Sequence, residues 1–238
     1  MWALPDRLRV HPASSPICQH LAMRITHLGH ACVLVESHET RVLIDPGAFS
    51  GLWHGTSDLD AILVTHQHAD HVDPEHAPGL IEANPQAAVY TADDVERTLL
   101  LPRAESVVPG QQLRVGGLQI ETVGGDHAII HQDIPRVHNV GFLLRAEGGP
   151  VFFHPGDALD AAPAGVDVLA LPLMGPWAAM KEHVDFVRAL DVPQSIPIHD
   201  ELLSDRGREL LCRQIGSLTG TKIISLRGGG SEEFRVSG

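Results

Sequence analysis

Residues 63–71 read Leu-Val-Thr-His-Gln-His-Ala-Asp-His, which places His66, His68, Asp70 and His71 within six positions. They follow directly on the apolar run Ala61-Ile62-Leu63-Val64, whose length and lack of alternation predict a short buried strand. If the chain stays extended beyond that strand, alternate side chains project the same way, so His66 and His68 can close on one ion. Asp70 and His71 are adjacent and point apart, onto a second ion or onto a bridge between two. Imidazoles beside a hard carboxylate suit zinc and accommodate manganese or iron. One loop supplies only part of the shell for two ions, so further His or Asp residues must come from later in the chain. Strand ends, where loops commonly carry function, are the places to look for them.

The chain before this loop predicts three strands, Arg24–Leu28, Ala31–Glu36 and Arg41–Asp45, joined by tight turns. His27 and His30 flank Gly29 in the first turn and fit either turn hydrogen bonding or a position near the ions. The loop 48–60 carries Trp53 and His54, a candidate lid over substrate or simple surface packing. After the metal loop the pattern predicts a helix from Pro74 to Ala83, a strand Ala88–Thr91 and a helix Ala92–Leu101 with acidic residues in its first turn. Strands follow at Ser106–Val108, Gln112–Val115 and Leu118–Val123.

Gly-Gly-Asp-His at 124–127 puts another histidine at a strand end, where His127, His131 and His138 compete as the next ligand. Val151–Asp157 reads strand, turn, carboxylate, and Asp157 can offer one oxygen to each of two cations. His154 either caps that strand or supports the site from behind. The loop 172–180 offers Met174, Trp177 and Met180 as a pocket wall or as core. A helix Lys181–Leu190 and a strand Ser195–Ile198 then lead into His199. A helix Leu203–Leu218 and an edge strand Lys222–Leu226 end the pattern. Gly228-Gly229-Gly230 is a turn and not a phosphate loop, since no Gly-Lys-Ser/Thr follows it.

The His-x-His-x-Asp-His pattern at His66, His68, Asp70 and His71 resembles the signature of the metallo-beta-lactamase superfamily. Its flanking segments are similar too: THLGHACVLVES and RVLIDPGAF upstream, GGDHA, FFHPGDA and IPIHDELL downstream. The similarity spans about residues 23–236 and is nearest to the branch that includes ascorbate-6-phosphate lactonase. The resemblance implies an α/β fold, a four-layer alpha/beta-beta/alpha sandwich with the site at the sheet edge. It selects His127 as the third ligand of the first ion, Asp157 as the bridge, and His199 as the partner of Asp70 and His71. It also puts Asp45 beneath the ions as a support. His131, His154 and Trp177 are expected to line the pocket or back the ligands.

Such a site implies two divalent ions, zinc before manganese or iron, and hydrolysis by a hydroxide bridging them. Asp70 would orient it or carry a proton. The superfamily cleaves lactams, lactones, thioesters, phosphodiesters and RNA, so fold alone leaves the substrate open. A small ester, lactone or phosphorylated metabolite is the expected class, with a phosphodiesterase or nuclease as the alternative. The diiron redox relatives carry a carboxylate where this chain has His68. A metal-dependent binding protein without catalysis is the other reading.

Composition narrows the partners. The formal net charge of −13, with no Lys/Arg run, speaks against nucleic acid. No apolar run is long enough for a membrane span or a signal peptide. Three scattered cysteines, Cys18, Cys32 and Cys212, fit a reducing compartment and hence the cytoplasm. A small-molecule substrate is expected, and a homo-oligomer is compatible with the sequence. Residues 1–22, with three prolines, are expected to form an accessory arm before one domain spanning 23–238.

Overall fold

Phe152 and Phe153 are neighbours in sequence, and they fill two different cores. In the computed structural model, which describes residues 22–236, they lie on β10 (Val151–His154). Alternate residues of a strand point to opposite faces, so a strand apolar at every position must be covered on both sides. The same division recurs in β9 (His138–Ala146), where Phe142 and Leu144 join one core and Leu143 the other. It recurs again in β11 (Val168–Pro172), with Val168 and Ala170 against Leu169 and Leu171. Burying each such side chain stabilises the fold by about 1.5–3 kcal/mol.

The larger core fills the space between two seven-stranded sheets and continues onto the outer face of the first. The first runs β14-β1-β2-β3-β4-β5-β6, built from β1 (Met23–His27), β2 (Val33–Ser37), β3 (Thr40–Ile44), β4 (Ala61–Val64), β5 (Ala88–Ala92), β6 (Ala104–Val107) and β14 (Ser231–Phe234). The second runs β13-β12-β11-β10-β9-β8-β7, adding β7 (Gln112–Val115), β8 (Leu118–Asp126), β12 (Gln194–Ile198) and β13 (Lys222–Ile223). Each sheet passes from antiparallel pairs to parallel ones, at β3–β4 in the first and β10–β11 in the second. Helices α1 (Ala77–Ala83) and α2 (Asp93–Thr98) connect the parallel strands of the first sheet. They bury Leu80, Ile81 and Val95 in the larger core. Helices α3 (Met180–Leu190) and α4 (Asp205–Thr219) cover the outer face of the second sheet, where Val184, Phe186, Val187, Leu190 and Ile215 form the smaller core. The result is the four-layer α/β-β/α sandwich.

Several boundaries differ from the sequence expectation for local reasons. The second strand begins at Val33 because Gly29 (φ +95°) and His30 (φ +49°) turn the chain, closed by hydrogen bonds from Leu28 N to the Cys32 carbonyl and from Cys32 N to the Gly29 carbonyl. The third ends at Ile44 because Asp45 turns left-handed at φ +52°. The helix expected from Pro74 starts at Ala77, since the Asp73 carboxylate holds the amides of Glu75 and His76 in a preceding turn. The helix expected to reach Leu101 closes at Thr98, and Leu99 is extended. The expected strand Lys222–Leu226 pairs only at Lys222–Ile223. β14 was not anticipated, because Ser-Glu-Glu-Phe buries only Phe234 and shows no alternation. Trp53, a candidate lid, is instead buried (1% exposed) with its indole N–H donated to the Gly47 carbonyl. The arm expected over residues 1–22 lies outside the described residues, apart from Ala22.

Candidate metal centre

The two sheets bring the carboxyl ends of their strands to one edge, the usual position of a site in such folds. β3 delivers Asp45, β4 delivers Thr65 and His66, β10 delivers Asp157 and β12 delivers His199. The β8–β9 connection adds His127, and the β1–β2 turn adds His30. Backbone bonds cross between the sheets here, from Val140 N to the Thr65 carbonyl (2.9 Å) and from His199 N to the His30 carbonyl (2.7 Å). Asn139 latches the Asp157 turn by donating to the Pro155 carbonyl (2.8 Å) and accepting from Asp157 N (2.9 Å).

Three site residues, His30, Asp45 and His199, hold left-handed φ values of 49°, 52° and 53°. Such backbone costs on the order of 1–3 kcal/mol per residue and is retained where the surroundings fix it. At Gly47 only a glycine fits, because a Cβ there would lie 1.8 Å from the Asp70 carbonyl oxygen. The strand-end turn after Asp45 is thereby pressed against the histidine loop, joined by Ala48 N to Ala69 O (2.8 Å) and Asp73 N to Pro46 O (2.9 Å).

The donor atoms fall into two sets with a link between them. His66, His68 and His127 converge in one, and Asp70, His71, His199 and His30 in the other, each within 4.8 Å. Asp157 stands between: Oδ1 lies 3.1 Å from His71 Nε2, and Oδ2 lies 3.4 Å from His127 Nε2 and 3.1 Å from His199 Nε2. Despite these distances, Nε2 of His71, His127 and His199 and Oδ1 of Asp157 are buried without hydrogen-bond partners.

The opposite ring nitrogens are all held. His71 Nδ1 donates to Asp45 Oδ2 (2.7 Å), His127 Nδ1 to the Ala128 carbonyl (2.6 Å), and His199 Nδ1 to the Met174 carbonyl. His66 Nδ1 lies 3.0 Å from the Thr65 hydroxyl, which donates to Asp45 Oδ2 at 2.8 Å. Fixing one nitrogen as donor sets the tautomer and aims the other's lone pair inward, the arrangement a metal-binding histidine requires. Buried polar atoms left unpaired cost free energy, so four aimed at one space fit a cation pair.

Electrostatics divides the imidazoles: burial opposes charge on His71, yet Asp157 and Asp45 raise it well above the ordinary value. Burial, reinforced by the charge of His71, keeps His66 well below the usual imidazole range, and burial with His127 lowers His68. Burial would raise Asp157, but His71 and His199 outweigh it and hold its carboxyl well below the carboxylate range. Burial also opposes charge on His199, yet Asp157 and Asp70 lift it to about 9. Neutral imidazoles and ionised carboxylates are the ligand-competent forms, and a cation displaces protons held beside them.

The other sequence candidates sort by position. Asp45 is buried and accepts from Thr65 N, Thr65 Oγ1 and His71 Nδ1. His154 is buried: its Nε2 donates to the Ala31 carbonyl (2.9 Å) while Nδ1 accepts from Gly156 N (3.2 Å) and lies 3.9 Å from Asp45 Oδ2. Trp177 donates its indole N–H to Asp157 Oδ2 at 2.9 Å, whereas Met180 packs on the smaller core. His131 is exposed beside Asp133, and His138 pairs with Asp93, both away from the cluster.

His30 is the residue the sequence reading left undecided. Its Nε2 donates to Asp70 Oδ2 (3.1 Å) and its ring lies 4.1 Å from that of His199. The signal was Gly29, which permits the turn that folds His30 inward. A further group, His54, Asp73 and His76, forms a third His/Asp cluster away from the strand ends.

The family model of the beta-lactamase superfamily domain matches residues 24–199. Protein Rv0786c of Mycobacterium tuberculosis is 39% identical over 200 residues, covering 84% of this chain and 94% of that protein. A metal-dependent hydrolase of Myxococcus xanthus is 30% identical over 197 residues, covering 74% of this chain and 69% of that protein. Among solved structures, Igni18, a metallo hydrolase from Ignicoccus hospitalis, superposes with a TM-score of 0.71 at 18% identity, covering 91% of this chain and 100% of that one.

Proposed function

The chain belongs to the metallo-beta-lactamase superfamily, and from that premise we propose that it is a metal-dependent hydrolase with a binuclear site. The observation that carries the reading is the convergence of unpaired, buried Nε2 atoms of His71, His127 and His199 on Asp157, whose Oδ1 is itself unpaired. His66, His68 and His127 would hold one cation, Asp70, His71 and His199 the other, with Asp157 shared between them. Zinc suits this imidazole-rich shell best, ahead of manganese or iron. Cations held by these residues would supply the chemistry of acidifying water and polarising a carbonyl or phosphoryl oxygen.

The chain's own residues do the remainder. Asp45 and Thr65 keep the ligand rings in register, so little reorganisation accompanies reaction. Asp70 is the more exposed of the two ligand carboxylates, with its side chain 20% exposed against 4% for Asp157. It is therefore the one placed to orient water and pass a proton at its carboxylate oxygen to the leaving group, while His30 steadies Oδ2. The substrate class is a small ester, lactone or phosphorylated metabolite. We further infer a cytoplasmic small-molecule enzyme acting as one domain, without nucleic-acid or membrane partners. That reading draws on the acidic net charge, on a core shared by both sheets, and on the finding that no described helix is long and apolar enough to cross a membrane.

Elemental analysis of protein purified without chelator, paired with hydrolysis of a lactone, a thioester and a phosphodiester, tests this. Two zinc or manganese ions per chain with turnover are expected, and Asp157→Ala should lower metal content and abolish turnover. Retention of both ions and full activity in that variant would overturn the bridging role. Iron with oxygen consumption would replace hydrolysis by redox chemistry.

A further inference from the structure

Next to the strand-end cluster lies a groove of about 370 Å³ walled by Ile129, Leu159, Trp177 and Ala178. It begins where the ligands end. Ala128, which follows His127, donates its amide to the Asp157 carbonyl (2.8 Å), and Ala158 follows Asp157; both line the groove. The Trp177 indole bonded to Asp157 has its ring centroid 6.0 Å from those of His127 and His199. Gly175 makes that fold of the loop feasible, since a Cβ there would lie 2.2 Å from the indole nitrogen.

The charges around this groove discriminate between substrate classes. Its one lining cation, Arg136, is already engaged, with Nη1 3.3 Å from Asp126 and Nε on the His127 carbonyl. Asp160 and Glu182 line the same groove and disfavour a phosphate. Apolar side chains are exposed near the site instead: Ile129 (64% exposed) and Ile134 (48%) on the loop after His127, and Phe49 (44%) with its ring 4.9 Å from that of His30. Large exposed apolar groups gathered near a site mark a binding surface for apolar matter.

We propose that the groove seats the alkyl or aryl group of a neutral carboxylic ester or lactone, in preference to a phosphate ester. This rests on the hydrolase reading above. In the reaction, the water oxygen bonds to the carbonyl carbon and the carbon–oxygen bond to the leaving alkoxide breaks. One water proton goes to the alkoxide, and the other is released as the carboxylic acid ionises.

The experiment compares kcat/KM for p-nitrophenyl acetate, butyrate, hexanoate and octanoate with that for bis(p-nitrophenyl) phosphate, using metal-loaded protein. Full burial of each methylene corresponds to about a fourfold gain, so kcat/KM should climb along the esters and exceed the phosphodiester value. Ile129→Asp should flatten the climb with metal content intact. A flat ester series, or preference for the phosphodiester, overturns the proposal. If neither is turned over, the hydrolase reading fails, and binding of octan-2-one against acetone by calorimetry decides the groove separately. Tighter binding of octan-2-one, lost in Ile129→Asp, upholds an apolar seat, and equal binding removes it.

Discussion

Two clusters in this molecule use the same chemistry at the same scale. His66, His71 and Asp157 at the strand ends, and His54, Asp73 and His76 beside α1, each bring ligand atoms within 4.8 Å. They differ in what those atoms already hold. Asp73 is fully used: Oδ1 accepts from Glu75 N (2.8 Å) and His76 N (3.2 Å), and Oδ2 from His76 Nδ1 (2.8 Å). His54 and His76 stack on each other in solvent, their centroids 4.6 Å apart, where water satisfies them. At the strand ends Nε2 of His71, His127 and His199 is buried and unpaired, while Nδ1 of each is bonded; His66 Nε2 lies 3.0 Å from His68 Nδ1. Proximity of histidine and aspartate is thus common to both clusters, and what sets the strand-end one apart as the candidate metal centre is that several fixed outer bonds aim unsatisfied inner atoms at one shared carboxylate.

The sharpest way to break this comparison is to remove an outer bond while leaving every ligand in place. Asp45→Asn preserves volume and tolerates the left-handed backbone at this position, but it can no longer accept from Thr65 N, Thr65 Oγ1 and His71 Nδ1 together. Metal affinity, read by competition with a chromophoric chelator, should weaken about 10–100-fold, the usual cost of losing such support. Unchanged affinity would mean that the outer bonds are incidental. A smaller effect of the opposite kind is expected at the satisfied cluster. Asp73→Ala should lower stability by about 1 kcal/mol, the order of a lost capping interaction, here at the turn that precedes α1, with metal content unchanged. Loss of an ion from that variant would erase the distinction between the clusters.

Much of this was legible before any coordinates. Period-two alternation and apolar runs located most of the strands, and the histidine loop announced its own chemistry at His66, His68, Asp70 and His71. Tertiary closure was not legible. His30 enters only because Gly29 turns the chain and the second sheet places His199 against it, a contact between residues 169 positions apart. β14 was invisible because its pairing with β1 buries one side chain and leaves two glutamates in water. The buried Trp53 read as a lid or as surface packing because a loop rich in Gly, Ser and Asp gives no sign of folding its indole onto Gly47. The support given by Asp45 was suggested by family resemblance and not by spacing, since Thr65 and His71 reach it across 20 and 26 residues.

The finest distinction concerns His138, a satisfied histidine that should respond to pH and ignore metal. Its Nδ1 pairs with Asp93 at the start of α2, and its amide donates to Asp94 Oδ2 (2.9 Å), so the pair ties β9 to that helix. The hydrogen bond with Asp93 outweighs slight burial and raises the imidazole above its ordinary value. A group raised by folding lends stability that is complete below its unfolded pKa, about 6.5, and fades as pH climbs through the folded value. Both partners are substantially exposed, so the stabilisation should stay below about 1 kcal/mol. Asp93→Asn, which also loses the exposed Arg97 pair at every pH, should therefore melt further below the parent at pH 5.5 than at pH 9, at equal metal content. A gap of the same size at both pH values would show that the tie is packing and not charge. A gap accompanied by metal loss would couple this satisfied pair to the unsatisfied centre, and the rule separating them would fail.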